Sequence, residues 1–246
     1  MNISLKQWQA YKDGLKAIDE KAAEYMSLFI QEHGMVDMNA VVDYAYALAT
    51  KYGEAAAELA CRLHNQVARA AKKSVPAAEP APTATYHETA AAVYGTAKKS
   101  PSTIPQTVGR LVKQAGADTT LFNAERDGAQ FAWIPRGDTC AFCITLASRG
   151  WQNMSKKALK NGHAEHIHSN CDCAYAIRFS EADGVAGYDP AKYLRMYEDA
   201  PGATPGAKIN AMRRDFYAED KERINAQKRA AYAERRAEQS ELTNIE

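Results

Sequence analysis

The sequence has 246 residues, which is enough for one large domain or for two small domains that each hold a hydrophobic core. Its 31 basic and 30 acidic side chains give a formal net charge of +1, which argues against a wholly basic nucleic-acid coat and against an acidic solvating tail. No run approaches the roughly 20 apolar residues that cross a bilayer, and the first residues lack the layout of a signal peptide. We therefore expect no membrane contact and a cytoplasmic setting, in which the five cysteines stay reduced.

The charges are distributed unevenly along the chain. Residues 1–60 hold five basic and nine acidic side chains, whereas residues 61–115 hold eight basic and two acidic ones. The basic side chains of the second stretch lie between Arg62 and Lys113. This basic segment, residues 62–113, predicts a weak contact with a polyanion such as DNA.

The first predicted region, residues 1–73, is helical. Its first helix carries an apolar stripe, with alternating spacings of three and four residues, that consists of Trp8, Tyr11, Leu15, Ile18, Ala22, Tyr25 and Phe29. Ser4 and Gln7 match a capping box at the start of this helix, and Gly34 ends it. Two further helices, separated at Gly53, complete the region. The stripe suits either a bundle within the chain or docking onto the helices of another protein.

A Pro- and Ala-rich stretch without apolar periodicity, residues 74–85, predicts an extended linker and a domain boundary. The module that follows covers residues 86–206. It is predicted to contain helices over Tyr86–Ala97, Pro105–Gln114 and Thr119–Arg126, strands over Gln130–Ile134 and Ala174–Phe179, and a short helix that opens near Pro190. Residues 207–246 mix basic and acidic side chains and predict a charged C-terminal helix or tail.

Four of the five cysteines fall within 34 residues, together with a histidine. Two residues separate Cys140 from Cys143, the same gap separates His168 from Cys171, and Cys173 follows two positions later. A gap of two residues lets one turn present both side chains to a single ion, and tetrahedral zinc takes four nitrogen or sulfur ligands from two such knuckles. The spacing therefore predicts a zinc site with these five residues as candidate ligands.

Five candidates compete for four places. The preferred set, which has a two-residue gap in each pair, is Cys140, Cys143, His168 and Cys171. Cys173 then turns inward at the start of a strand, although it fits nearly as well in place of Cys171. His163 and His166 are further options. Together with the predicted elements, this gives a mainly helical α+β fold: an N-terminal helical region and a small C-terminal zinc-knuckle module with a short β-sheet.

A zinc ion whose positions are all filled by protein ligands is structural rather than catalytic. Two enzymatic alternatives stay open against it. A protease-like nucleophile, Ser148 or Cys140 with His163, lacks a convincing third group to orient the histidine. A zinc-dependent nuclease or processing enzyme would use the His and Asn side chains of HAEHIHSN, but these lie within the cysteine motif and serve better as ligands and turn formers. A DNA-binding zinc finger is disfavoured because no helix after the knuckle carries a base-reading pattern.

The stretch WIPRGDTCAFCITLASRGW, followed later by HIHSNCDC, resembles the phage minor head protein family related to phage Mu protein F. The family pattern has a helical N-terminal part, a C-x-x-C, a following Leu-Ala-Ser-Arg-Gly and a late His-x-x-Cys-x-Cys. The resemblance is specific over residues 120–180. One departure is Ser169, where the family often has Pro before the Asn of its histidine motif.

The resemblance implies a structural minor capsid protein of a tailed phage, present in the virion and assembled in the host cytoplasm. Its implied role is head morphogenesis and DNA packaging or delivery near the portal, with the portal or other capsid proteins as partners and phage DNA as a second partner. Family members have no agreed enzymatic activity in this module. By position, the resemblance makes metal ligands of Cys140, Cys143, His168, Cys171 and Cys173.

Overall fold

The computed structural model describes residues 2–135, 140–153 and 173–218, together with 221–222, 225–226 and 229. Helices dominate these residues, and a small antiparallel sheet accompanies them. The expected mainly helical fold with a short β-sheet is therefore confirmed. The described residues divide into two compact units. The first holds residues 2–135, 149–153 and 173–189, and the second holds residues 140–148 and those from 190 onward.

Four helices build the first unit: α1 (Leu5–His33), α2 (Met38–Ala70), α3 (Tyr86–Ala97) and α4 (Ile104–Arg126). The capping box predicted for α1 is present, because Ser4 accepts a hydrogen bond from the Gln7 backbone and the Gln7 side chain accepts one from the Ser4 backbone. Gly34, with φ of 70°, ends α1 as predicted. The predicted break at Gly53 is wrong, since α2 runs through it without interruption.

The contacts between side chains show the relative directions of these helices. Along α1 and α2, Tyr25 contacts Tyr52 and Phe29 stacks on Tyr44, so the two helices are antiparallel. Helix α4 runs parallel to α2, because Gly116 meets Ala56 near the middle of both helices and Asp127 meets His64 near their ends. Helix α3 lies along the first half of α2 in the opposite direction, with hydrogen bonds from Tyr86 to Asp43 and from Tyr94 to Asn39.

The apolar faces of these four helices form the core of the first unit. Its fully buried members include Ala22, Met26, Val41, Val42, Ala45, Val93, Ile104, Val108 and Val112. Burying such side chains gains about 1.5–3 kcal/mol each for the larger ones, which is the main driving force for the bundle. Of the two uses that the α1 stripe allows, packing within the chain is the one observed for Trp8, Tyr11 and Ala22, which are buried.

The Pro- and Ala-rich stretch is extended, as predicted, and hydrogen bonds hold it against α2 and α4. Side chains of α2 and α4 make the hydrogen bonds that a neighbouring strand would make in a sheet. Asn65 accepts a hydrogen bond from the backbone of Ala78, and Asn123 both accepts one from and donates one to the backbone of Glu79. Thr119 accepts from the backbone of Ala81, which is buried. The stretch lies within the first compact unit, so residues 74–85 are not a boundary between units.

The sheet of the first unit has the strand order β3-β2-β4, with β2 (Gln130–Ile134), β3 (Gln152–Asn153) and β4 (Ala174–Arg178). Both pairings are antiparallel, and β2 pairs with β4 from Gln130↔Arg178 to Ile134↔Ala174. Both predicted strands are present. A parallel pair, β1 (Asn2–Ile3) with β5 (Gly184–Val185), joins the start of the chain to the residues after the sheet.

The second unit contains α5 (Ala141–Ala147), α6 (Pro190–Asp199) and a helix over residues 205–218, named α7. Its core consists of Ala141, Ile144, Ala200 and Met212, with Tyr193, Tyr197, Ile209 and Phe216 packed against them. Lys208 donates hydrogen bonds to the carbonyls of Tyr197, Glu198 and Ala200, at 3.2, 2.7 and 2.8 Å, and so caps the end of α6. Most of the predicted C-terminal tail beyond residue 218 lies outside the described residues.

Among the helices that the structure describes, none combines the length and the apolarity that a bilayer crossing requires.

Candidate functional site

The first pair of predicted zinc ligands lies at the start of α5, in the second unit. Cys140 is the N-cap residue of this helix, with φ −69° and ψ 158°, and its carbonyl accepts the first helical hydrogen bond from Ile144 at 3.0 Å. Cys143 is the third residue of the helix and is buried, whereas Cys140 is half-buried. N-cap and N3 positions are those whose side chains meet in a capping box, so this backbone brings two ligands to the same end of the helix. The pair therefore fits one half of a zinc knuckle.

The other predicted ligands are only partly described. Cys173 is half-buried in the first unit and directly precedes β4, as expected for a residue at the start of a strand. His168 and Cys171, like the further options His163 and His166, lie outside the described residues. Within the parts of the chain that are described, no group of three or more His, Cys, Asp or Glu side chains is arranged to hold a metal ion. The zinc site therefore stays a prediction.

A buried polar network in the first unit was not predicted from the sequence. Nε2 of His64, on α2, lies 2.7 Å from Oδ2 of Asp127, the residue that caps α4. Arg126 binds the same carboxylate in bidentate fashion, with Nε 2.7 Å from Oδ1 and Nη2 2.9 Å from Oδ2. The side chains of His64 and Asp127 are 1% and 2% exposed. The carboxylate thus joins two helices at a place that solvent does not reach.

Arg126 extends this network to the extended stretch. Its Nη1 donates to the carbonyl of Ala77 and its Nη2 to the carbonyl of Pro76, both at 3.1 Å. Bidentate binding to a carboxylate fixes the plane of a guanidinium, so Asp127 determines where these two donors point. The network therefore connects α2, α4 and residues 76–77. Its hydrogen bonds and ion pair stabilise the packing of these elements.

Burial and hydrogen bonding shift the pKa values of the network in defined directions. Burial lowers the pKa of His64 below its ordinary value of 6.5, and the opposing hydrogen bond to Asp127 does not compensate. Burial alone would raise the pKa of Asp127, but the hydrogen bonds from Arg126 and His64 outweigh it and hold the pKa below 3.8. At neutral pH the network therefore contains a neutral imidazole, a carboxylate and a guanidinium.

The protein should lose stability when the pH falls below about 6.5, because the unfolded chain then protonates His64 before the folded chain does. This loss is complete once the pH is below the folded-state pKa, and a further loss from Asp127 follows below its unfolded value of 3.8. Urea unfolding at about pH 7.5 and about pH 5 measures the first step. His64→Gln should reduce the difference between the free energies of unfolding measured at these two pH values.

His87→Gln is the matched control for this pH dependence, because His87 is exposed on α3. The control should leave the pH dependence as it is in the parent protein. Equal pH dependence in His64→Gln and the parent would show that His64 is not the group responsible.

A cleft of about 420 Å³ lies between α1 and α4, and half of the residues that line it are charged. Within it Lys113 pairs with Asp19, with 2.8 Å between Nζ and Oδ2, and Lys16 pairs with Glu20 at 3.6 Å. Opposite charges thus meet within the cleft itself. Lys113, one end of the basic segment, is consequently used in an ion pair within the bundle.

Five of the eight basic side chains of segment 62–113 lie at the two ends of the helical bundle. Arg69, Lys72 and Lys73 lie at the C-terminal end of α2, whereas Lys98 and Lys99 follow α3. The end of α3 lies beside the start of α2 and the start of α4, because Tyr94 bonds Asn39 and Thr96 bonds Thr107. At a rise of 1.5 Å per residue, the 33 residues of α2 separate the two groups by about 50 Å. They therefore form two surfaces and not one.

Comparison with known proteins adds one finding. Neither the curated proteins nor the solved structures gave a match to this chain. Among protein families, the model described as "VG15 protein" matches residues 2–200, which include the four helices of the first unit, the sheet and the cysteine motif. A match over this share of the 246 residues shows that the chain belongs to the VG15 protein family, a phage-associated family.

Proposed function

We propose that this protein is a structural minor capsid protein of a tailed phage and acts in head morphogenesis near the portal. The observation that carries the proposal is the family match over residues 2–200 to a phage-associated family. It agrees with the resemblance of the cysteine motif to phage minor head proteins. In this proposal the protein resides in the virion after assembly in the host cytoplasm, with the portal or another capsid protein as its main partner.

The internal chemistry of the first unit supports a structural role. Two deeply buried ionisable side chains of this unit, His64 and Asp127, bind each other, and Asp127 also binds Arg126. Groups that are 1% and 2% exposed hold helices together but do not meet a substrate. In the cleft between α1 and α4, Lys113 and Asp19 pair from one helix to the other. These contacts are what a rigid helical element of an assembly requires.

Particle composition tests the proposal. Purified virions and DNA-free proheads of the phage that encodes this chain should both contain the protein in few copies, as measured by quantitative mass spectrometry. Loss of the gene should give defective heads while the major capsid protein is still made. Absence of the protein from both kinds of particle would overturn the proposal. Cleavage of DNA by the purified protein, abolished by His163→Ala or His166→Ala, would favour the alternative of a zinc-dependent nuclease acting during assembly.

A structural zinc ion is part of this proposal. Its ligands are drawn from the candidates Cys140, Cys143, His168, Cys171 and Cys173. The pair at the start of α5 supports it, since the backbone presents Cys140 and Cys143 from N-cap and N3. Zinc with four protein ligands contributes to folding and leaves no position for a substrate.

Metal content tests the zinc site directly. Protein purified under reducing conditions should contain about one zinc per chain by elemental analysis, and a strong chelator should lower its melting temperature. Cys143→Ser should remove the zinc. Cys61→Ser is the matched control: Cys61 is also buried, but it lies on α2, outside the cysteine motif, so its replacement should leave the zinc content unchanged. Parent protein without zinc, with a melt that a chelator does not change, would refute the site.

A further inference from the structure

Three cations at the C-terminal end of α2 form no ion pair with another residue in the described part of the chain. Arg69 lies in the last turn of the helix, Lys72 and Lys73 follow shortly after the helix ends, and all three residues are exposed. Nearer the middle of the helix, Arg62 is already paired with Glu58 at 3.0 Å. We call Arg69, Lys72 and Lys73 the α2 tip. Its three side chains carry the same sign of charge at one end of the bundle.

The backbone of the α2 tip holds Lys72 in a conformation that side chains disfavour. The helix ends in a Schellman motif: the Lys73 amide donates to the Ala68 carbonyl at 2.9 Å, and the Lys72 amide donates to the Arg69 carbonyl at 3.0 Å. Lys72 is left-handed, with φ of 53°, and every other described residue with positive φ is a glycine. Glycine is the residue favoured at this place, so the lysine is present at a cost to the fold.

The interaction with the helix dipole does not explain this lysine. Cations near the end of a helix are stabilising, but Arg69 already lies in the last turn, with ordinary helical geometry. Lys72 adds a second cation at a position where the same cap would form with glycine at lower cost. The choice of residue is therefore better explained by a contact that needs the charge.

The surroundings of the tip indicate the chemistry of the partner. Ala70 and Ala71 lie between the three cations, and Ser74 and the half-buried Val75 follow them, so the tip itself has no exposed large apolar side chain. Protein interfaces have apolar centres, and membrane-surface segments insert apolar residues. The phosphate backbone of duplex DNA is bound by Lys and Arg side chains alone when no base sequence is read.

We propose that the α2 tip binds the phosphate backbone of duplex DNA without sequence preference. This inference rests on the proposed function, because a phage head is where such a protein meets packaged DNA. It assigns the contact to Arg69, Lys72 and Lys73 and not to the basic segment as a whole. Lys98 and Lys99, which lie at the opposite end of the bundle, are assigned no part in it.

Lys72→Gly separates the contact from the fold. The variant keeps the cap and relieves the left-handed lysine, so its melting temperature should rise while its DNA affinity falls. Binding of the full-length protein to a short fluorescent duplex is measured by anisotropy at several salt concentrations. Each lost phosphate contact should reduce the slope of log K against log [salt] by about 0.9. Lys72→Gly with Lys73→Gln should reduce the slope by about twice that amount.

Lys98→Gln with Lys99→Gln is the matched control, because it removes the same charge from the other end of the bundle. This pair should leave the affinity and the salt slope nearly unchanged. Equal losses from both pairs would refute the assignment to the tip, and so would a parent protein that does not bind the duplex.

Vesicles and phage particles supply two further outcomes for the α2 tip. Binding of the tip to vesicles of anionic lipid as tightly as to DNA, lost in the same variant, would overturn DNA as the partner in favour of a membrane. DNA binding with the expected variant effects, by a protein that is absent from phage particles, would uphold the contact and remove only the proposed function. The particle composition therefore tests the proposed function, and the binding assay tests the DNA contact, so that either proposal can be refuted without the other.

Discussion

Asp127→Ala should lower the free energy of unfolding by about 3 kcal/mol, the low end of the range for breaking a buried ion pair from one side. The replacement leaves Nε2 of His64 without its acceptor at a site that is 1% exposed. It also leaves the Arg126 guanidinium without its counter-charge. Arg126 is 23% exposed, so solvent screens part of its charge, which is why the low end applies. The two helices and residues 76–77 lose their common anchor.

Asp127→Asn is the matched control for the charge, because it keeps the size and one acceptor oxygen of the carboxylate. The amide oxygen can face Arg126, and His64 can then accept from the amide nitrogen in its other tautomer. We expect a loss of about 1–2 kcal/mol, because the bond from Nη2 of Arg126 is lost and the protonated Nδ1 of His64 is a buried donor without an acceptor, while each of the two side chains keeps one hydrogen bond to the amide. Urea unfolding at neutral pH measures both variants. A loss below about 1 kcal/mol for Asp127→Ala would show that the network contributes little to stability.

The elements could be predicted from the sequence because their signals are local. The stripe from Trp8 to Phe29 and the capping box at Ser4 lie within α1 itself; the capping box is present, and the residues of the stripe are buried or half-buried except Tyr25, which is 37% exposed. Errors arose where a local signal was outweighed by packing. Gly53 weakens a helix by about 1 kcal/mol relative to alanine, and this predicted a break. In the structure the absence of a side chain there admits Thr83 and Ala115, so tertiary contacts decide.

The buried network could not be predicted because its members are far apart in the sequence. His64 and Asp127 are separated by 63 positions, and nothing in the sequence pairs them. The apolar stripe of α2 did contain a signal, since His64 shares a helix face with buried Ala57, Ala60 and Val67. A histidine on such a face needs a buried partner, but only the fold shows which one.

The extended stretch shows the same limit for a loop. Its composition correctly indicated extended backbone, because Pro and Ala without an apolar period do not form a packed helix. Composition alone cannot reveal that Asn65, Asn123 and Thr119 on two helices bind its backbone. A flexible linker and an extended segment that is bound to the helices thus have the same sequence signature. Residues far away in the sequence decide which of the two forms.

Gly116→Val should lower the free energy of unfolding by about 2 kcal/mol, because α1, α2 and α4 approach one another closely at this residue. A Cβ atom on Gly116 would lie 3.3 Å from the carbonyl oxygen of Ala56 and 3.3 Å from a methyl group of Leu15. The first of these atoms belongs to the backbone of a 33-residue helix and cannot move alone. Valine adds two methyl groups beyond Cβ, so the helices must separate.

Gly95→Val is the matched control that separates the steric cost at Gly116 from the change in helix propensity. Gly95 lies within α3, is exposed, and has nothing within 4 Å of the position of a Cβ atom. The same substitution there should leave stability unchanged or raise it by less than about 0.5 kcal/mol, because valine is a slightly better helix former than glycine. The two variants are compared by the midpoints of their urea unfolding curves, provided that the free energy of unfolding depends on urea concentration with the same slope in both. Similar midpoints for both would mean that the three helices can separate at little cost, and the close approach at Gly116 would then not hold the bundle together.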